Sequence, residues 1–234
     1  RGLGDVYKRQ KDRSELSDRE SAEKIGFVMQ SPDSQTVCDK VSAELAFGLE
    51  SFGVKSGEIQ SRVGEMAAFF GIEPLYDRDI STLSGGQKQL VALCSVMATD
   101  PDILLLDEPT AQLDPVAARE LLGILDRLNK EMGVTIIIAE HDPEELFDSC
   151  DKILYLAKGK TEFFGTPALT AKYFVENALE GFLPETAKAF AKLCEDLPLN
   201  VRQGRAKLEK LGVTDIPKQA VTDTERAEPC LLYT

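Results

Sequence analysis

The sequence predicts an α/β fold built on a mostly parallel β-sheet with helices on both faces. Short, strongly apolar segments such as ILLL (residues 103–106) and VTIII (residues 134–138) are typical of strands buried on both sides. Segments with apolar residues at helical spacing alternate with these strands, as in a chain of strand–helix–strand units. The 234 residues suffice for one sizeable hydrophobic core.

The first half of the chain is expected to hold one strand followed by a helical stretch. The strand is IGFVM (residues 25–29), and the turn-rich loop SPDSQ follows it. The predicted helices cover residues 36–53, 59–70 and 85–97. Ser56 is expected to cap the second helix and Gly71 to end it. Because these helices interrupt the alternation of strands and helices, residues 36–99 are interpreted as an inserted subdomain.

The second half returns to alternating elements. After the strand ILLL, Asp114 and Pro115 begin a long amphipathic helix that Gly133 ends. The elements expected next are a strand at 134–140, a short helix starting at 142–143, a strand at 152–157 and a hairpin turn at 158–160. Residues 11–166 are thus one α/β domain, and residues 167–229 are a helical extension that becomes polar like a linker.

The two ends of the chain are expected to be foreign to the fold. One encoding of residues 5–10, reverse-complemented and read in a shifted frame, gives CLLYT, which is residues 230–234. This inverted relation resembles a transposase end of the kind used in sequencing adaptors. Residues 1–10 and 230–234 are therefore interpreted as adaptor-derived, and the chain as the interior of a longer gene.

Charge and cysteine usage limit the function classes. The net charge of −13 argues against nucleic-acid binding, which favours a basic face, but is compatible with a nucleotide enzyme. The five cysteines are scattered without metal-ligand spacing and are interpreted as reduced thiols. No apolar run approaches the ~18 residues that a membrane span requires.

Two acids follow the strand ILLL directly. Strands of a parallel sheet point their carboxyl ends at the ligand-binding edge, so Asp107 and Glu108 are expected there. Asp107 is placed to hold Mg²⁺, directly or through water, and Glu108 to polarise a water for attack on a phosphate. One solvated acid after a strand is common, but two acids followed by Pro-Thr and Leu-Asp-Pro favour the functional interpretation.

The segment LSGGQ (residues 83–87) opens a predicted helix. Gly85 and Gly86 let the backbone approach a ligand, and the first turn of the helix directs free N–H groups outward. Ser84 adds a hydroxyl group. The segment is therefore predicted to bind an anion.

These motifs, in this order, resemble the ATP-binding-cassette (ABC) ATPases. LSGGQ, from Leu83 to Gln87, matches the family signature, in which Ser84, Gly85, Gly86 and Gln87 are the nucleotide-binding residues, and residues 103–108 match the Walker B strand with Glu108 as its catalytic glutamate. Residues 111–114, with Asp114, match the D-loop. His141, the only histidine, matches the switch histidine, and Gln30 matches the Q-loop glutamine. The resemblance covers about residues 15–166 and implies a fold of the P-loop NTPase type.

The resemblance also implies cofactors and partners. ATP would lie between two head-to-tail cassettes, with Mg²⁺ held by Asp107 and Gln30. FVMQSPDSQ and DEPTAQLDP look most like the ATPases of energy-coupling-factor (ECF) importers, and the tail resembles the first cassette of fused double-cassette forms. Such an ATPase would work at the cytoplasmic face of the membrane with a transmembrane coupling subunit and a substrate-binding membrane subunit. The cargo would be a vitamin or a transition-metal ion.

The phosphate-binding loop GxxxxGK[ST] of that family is not found in the sequence. Residues 159–161 read GKT, but they lie in a predicted hairpin turn and lack the first glycine. A degenerate relative and a chain that begins downstream of the loop are the two explanations, and the adaptor-like ends favour the second. The alternatives to a transport ATPase are a repair- or translation-associated ATPase of the same superfamily and an inactive regulatory cassette.

Overall fold

A computed structural model describes residues 16–141, 143–194, 196–210 and 212. The expected foreign ends, 1–10 and 230–234, lie outside the described residues. The chain divides into two compact units, of residues 1–142 and 143–234. No helix among the described residues has the length and apolar character needed to span a membrane.

The first unit is centred on a three-stranded parallel sheet in the order β1-β2-β3. Val28 of β1 lies opposite Leu106 of β2, which lies opposite Ile138 of β3. The helices and strands of this unit are α1 (Asp18–Lys24), β1 (Ile25–Val28), α2 (Pro32–Gln35), α3 (Val41–Ser51), α4 (Ser56–Phe70), α5 (Gly85–Met97), β2 (Ile103–Asp107), α6 (Pro115–Met132) and β3 (Thr135–Ala139). The predicted parallel sheet with helices is confirmed.

The core of this unit lies between the sheet and the helices α3 to α6. Alternate strand residues point into it, so Val28, Leu104 and Leu106 are almost fully buried. On the opposite face of the sheet, Phe27 and Ile137 are 45% and 54% exposed. Among the described residues, the apolar residues of that face therefore remain in contact with water.

The helix predicted at 36–53 is wrong at its start. A single helical turn, α2, occupies part of the expected loop, and α3 begins only at Val41. Glu44, which is 5% exposed, accepts hydrogen bonds from the backbone N–H groups of Val37 (3.0 Å) and Cys38 (2.8 Å). These bonds replace the helical bonds that the pattern predicted, because a buried carboxylate requires donors.

The helix boundaries set by glycine are as predicted. Gly71 and Gly133 follow α4 and α6 in the left-handed conformation, with φ of 68° and 72°. The predicted cap at Ser56 is wrong, because α4 already includes Ser56 and Lys55 occupies the cap position without a side-chain bond.

The second unit has its own core. The strands β4 (Ile153–Ala157) and β5 (Lys160–Gly165) form the predicted hairpin, with positive φ at Lys158 and Gly159. The helices α7 (Pro167–Glu176), α8 (Glu185–Phe190) and α9 (Val201–Lys210) follow. Phe147 and Phe174 pack edge to face in this core. The short helix expected after residue 142 is wrong, since residues 144–149 form turns.

Candidate functional site

Three predicted site residues follow the carboxyl ends of neighbouring strands. Gln30 comes two residues after β1, Glu108 directly after β2 and His141 two residues after β3. Because the strands are parallel and in register, their ends bring these residues to one edge of the sheet.

Glu108 connects the other two residues. Its Oε2 accepts a hydrogen bond of 2.6 Å from Nε2 of Gln30, and its Oε1 lies 2.7 Å from Nε2 of His141. The Glu108 side chain is 22% exposed, whereas that of His141 is 90% exposed. The structure therefore brings together residues that are 78 and 33 positions apart in the sequence, with the carboxylate engaged at both oxygens.

The backbone at Glu108 is strained. Its φ is 43°, in the left-handed region that residues other than glycine seldom adopt. The N–H group of Glu108 donates to the carbonyl oxygen of Ala139 (2.9 Å), which continues the bonding between β2 and β3. Such strain persists where the surrounding structure holds it and is concentrated at functional sites. Here the β3 bond and the two side-chain contacts hold the carboxylate in place.

Glu140 is a member of this edge that the sequence analysis missed. Its Oε1 accepts from the hydroxyl of Thr110 (2.7 Å) and from the backbone N–H of Thr110 (3.3 Å). This carboxylate ties the loop after Glu108 to the end of β3. The signal in the sequence was an acid directly after the β3 strand and beside His141, the same pattern that singled out Glu108.

Asp107 ends β2 and is exposed at the same edge. Its carboxylate and the amide oxygen of Gln30 are hard oxygen donors of the kind that Mg²⁺ prefers. Among the residues that the structure describes, no three or more His, Cys, Asp or Glu side chains lie close enough together to bind a metal ion without other ligands. The donor set fits Mg²⁺ if phosphate oxygens and water complete the coordination.

The predicted signature residues, 84–87, form a second group at the start of α5. Ser84 is the N-cap, and its Oγ accepts from the N–H of Gln87 (3.3 Å), while Oε1 of Gln87 accepts from the N–H of Ser84 (3.0 Å). This capping box fixes where the helix begins and uses the Gln87 side chain within the cap. The first-turn N–H groups at Gly85 and Gly86 belong to the orphan donors of a helix start.

The predicted D-loop lies against this helix start, since a Cβ added at Gly85 would lie 3.8 Å from the carbonyl oxygen of Gln112. A Cβ added at Gly86 would come within 3.3 Å of the Cβ of Ala117, so glycine permits the close approach of α5 and α6. Asp114 caps α6, because its Oδ1 accepts from the N–H groups of Ala117 (3.0 Å) and Val116 (2.9 Å). The hydrogen bonds from Ala117 and Val116 lower the pKa of Asp114 below its ordinary value of 3.8.

A parallel sheet with polar residues after the carboxyl ends of β1, β2 and β3, together with the capped start of α5, is the fold of an ATP-binding cassette. Sequence comparison gives the same class of protein. The profile of the family "ABC transporter" matches residues 3–111. A Bacillus thuringiensis protein provisionally named an ABC transporter ATP-binding protein is 37% identical over 230 residues, which is 97% of this chain and 42% of the relative. A Streptomyces coelicolor protein with a similar name is 44% identical over 151 residues, or 64% of this chain and 27% of the relative.

Solved structures give the same result. Clostridium perfringens cbiO1, part of the ABC transporter complex cbiONQ, is 34% identical with a TM-score of 0.61, over 79% of this chain and 67% of cbiO1. A dimeric ATP-binding cassette in a post-hydrolysis state, bound to ADP and Pi, is 28% identical with a TM-score of 0.55, over 65% of this chain and 68% of that one.

The chain belongs to the ABC transporter family of ATP-binding proteins. It covers two thirds of cbiO1 at 34% identity, and it spans 42% of the length of the Bacillus relative.

Proposed function

We propose that the chain is part of an ATP-hydrolysing motor subunit of a membrane importer. The observation that carries the proposal is the Glu108 carboxylate, held at the carboxyl edge of a parallel sheet between the amide of Gln30 and the imidazole of His141. A carboxylate fixed by two polar neighbours beside an acidic strand end suits the orientation of a water for attack on a phosphate.

Each residue at this edge has a proposed task. Glu108 orients the attacking water and acts as the general base that accepts a proton from that water. His141 donates a hydrogen bond to the γ-phosphate and loses this contact when the phosphate is released. Each oxygen of Glu108 makes one contact in the structure, and a carboxylate oxygen can accept a second hydrogen bond, so a water can bind beside the Gln30 and His141 contacts or replace one of them. Opening of the Gln30 contact would report the nucleotide state to the helices that follow β1.

Mg²⁺ would be held by Asp107 and by the amide oxygen of Gln30 together with phosphate oxygens. The bound ion would neutralise charge that develops on the phosphates. Asp107 is exposed at the end of β2, where a ligand arriving at the sheet edge can reach it.

The signature group is proposed to act on a nucleotide bound by a second cassette. Ser84, Gly85 and Gly86 would direct the hydroxyl and the first-turn N–H groups at its γ-phosphate, while Gln87 keeps the helix start fixed through the capping box. Asp114, at the start of the neighbouring helix α6, would communicate across the interface between cassettes. The second cassette is either another subunit or, as in a fused form, part of the same protein.

An upstream segment is proposed to supply the phosphate-binding loop. In the family the loop connects a strand to a helix; such a strand would extend the sheet, and the helix would cover the face that exposes Phe27 and Ile137. Without it, about four charge-assisted hydrogen bonds to phosphate would be missing, about 6 kcal/mol or 10⁴ in affinity. We therefore expect the 234-residue chain by itself to bind ATP poorly and not to hydrolyse it.

The importer is proposed to be of the energy-coupling-factor type. The likeness to cbiO1, which is part of the complex cbiONQ, supports this assignment. A transmembrane coupling subunit and a substrate-binding membrane subunit would be the partners, at the cytoplasmic face of the membrane. The cargo would be a vitamin or a transition-metal ion, which the ATPase itself does not contact.

The substitution Glu108→Gln in the full-length protein tests the proposal. It keeps the size of the side chain and removes the charge, so ATP hydrolysis should fall about 10²–10⁴-fold while ATP binding persists. Size-exclusion chromatography with ATP should show a dimer of cassettes that does not dissociate. Glu131→Gln, on the exposed surface of α6, is the matched control and should hydrolyse ATP at the wild-type rate. Unchanged turnover in Glu108→Gln would contradict the proposal.

A further inference from the structure

The segment after Gln30 is bound to the edge of the sheet by a side chain. Oε1 of Gln35 accepts from the N–H of Met29 (2.9 Å), and its Nε2 donates to the carbonyl oxygen of Phe27 (3.1 Å). Phe27 lies in β1 and Met29 directly follows it, so the Gln35 amide bonds to two alternate residues at the end of the strand, as a neighbouring strand would. The last residue of α2 is therefore bonded to the end of β1. Gln30, which lies between β1 and α2, is bonded to Glu108.

An ion pair joins α2 to the signature helix. Nζ of Lys88 lies 2.6 Å from Oδ1 of Asp33, 55 residues away in the sequence. The Lys88 side chain is only 19% exposed, whereas Asp33 is 68% exposed. A lysine buried to this extent is uncommon unless it has a charged partner, and Asp33 provides one.

Helix stability does not explain a lysine at this position. Lys88 directly follows the capping box of Ser84 and Gln87, in the first turn of α5, where its N–H makes an early helical bond to Ser84 (2.9 Å). A positive charge near the start of a helix interacts unfavourably with the helix dipole. The pairing with Asp33 offsets this effect and fixes the signature helix to the loop that carries Gln30.

We propose that Asp33 and Lys88 are positioning residues that link the two halves of the ATPase cycle within one cassette. The inference rests on the proposed function. Gln30 contacts Glu108, the proposed base, at the sheet edge of its own cassette. The group at residues 84–87 is proposed to act on the nucleotide that the partner cassette binds. The continuous path from Gln30 through α2 and the Asp33–Lys88 pair to Ser84 transmits opening of the Gln30–Glu108 contact to the start of α5.

A double-mutant cycle in the full-length protein tests this link. Asp33→Asn and Lys88→Gln should each lower kcat for ATP hydrolysis about tenfold and leave KM for ATP nearly unchanged, because the pair contacts neither the base nor the phosphate. The exchange Asp33→Lys with Lys88→Asp should restore kcat to within about threefold of wild type. Lys88→Arg, which keeps the charge, should retain most of the activity.

The controls separate this role from a merely structural one. Asp126→Asn and Lys130→Gln remove an exposed ion pair of similar length on α6 and should leave kcat unchanged. Unfolding midpoints measured on the same samples should differ little between the two sets of variants. Wild-type kcat in both single variants would overturn the inference, and so would a loss of kcat that neither the exchange nor Lys88→Arg restores.

The outcome is also separable from that of the proposed function. If Glu108→Gln abolishes hydrolysis while the Asp33 and Lys88 variants remain fully active, the proposed function stands and the link is refuted. If Glu108→Gln retains full turnover, the proposed function fails first.

Discussion

Replacing Glu44 should reveal how strongly one buried carboxylate holds the segment between α2 and α3. Its Oε2 accepts from Val37 and Cys38, and the residue is 5% exposed. Glu44→Met keeps the approximate volume but leaves both N–H groups without their acceptor. Hydrogen bonds to a charged group contribute about 1.5–3 kcal/mol each. Because Val37 is 65% exposed, its N–H group can form a hydrogen bond with water in the variant. The loss then corresponds to one hydrogen bond, from Cys38, and the expected decrease in the free energy of unfolding is about 2–3 kcal/mol.

Glu44→Gln sharpens the test. The amide keeps one oxygen acceptor without the charge, so the expected loss is only about 1 kcal/mol. Urea unfolding followed by circular dichroism suits a chain without tryptophan, and Glu50→Gln on the exposed face of α3 should be neutral. A Glu44→Met midpoint equal to that of wild type would show that other contacts hold this segment, and would refute the reasoning.

The same variants should change the chemistry of Cys38. Burial, then the nearby charge of Glu44, raises the pKa of the Cys38 thiol above its ordinary value of 9.0. Glu44→Gln removes that charge, so the pKa should fall and the thiolate fraction at pH 8 should rise. The rate of alkylation of Cys38 as a function of pH measures this shift, and an unchanged profile would argue against the contact.

Two further changes test packing and capping. Gly26→Ala should destabilise the fold by about 1–3 kcal/mol, because the added Cβ would overlap Cγ1 of Val96, which packs against the core. An equal unfolding midpoint would mean that α5 shifts freely. Asp114 has a lowered pKa in the folded state, so its contribution is present above pH 3.8 and is lost as the pH falls below that value. The stability advantage over Asp114→Asn should therefore shrink on acidification, and a constant difference would contradict the cap.

The sequence alone was sufficient for features encoded within a few residues. Gly71 and Gly133 end their helices in the left-handed conformation, and Asp114 with Pro115 begins α6, because capping depends on local backbone geometry. Strand positions followed from short apolar runs. The order of the motifs also identified Gln30, Glu108 and His141 before their contacts were known.

The tertiary structure decided which distant side chains meet. The segment before α3 is extended because its N–H groups bond to the buried Glu44, which a periodic pattern cannot reveal. The contact of Gln30 with Glu108 and the pair of Asp33 with Lys88 join residues 78 and 55 positions apart. Such partnerships depend on strand order and helix packing, whereas the sequence encodes directly only the preferences of neighbouring residues.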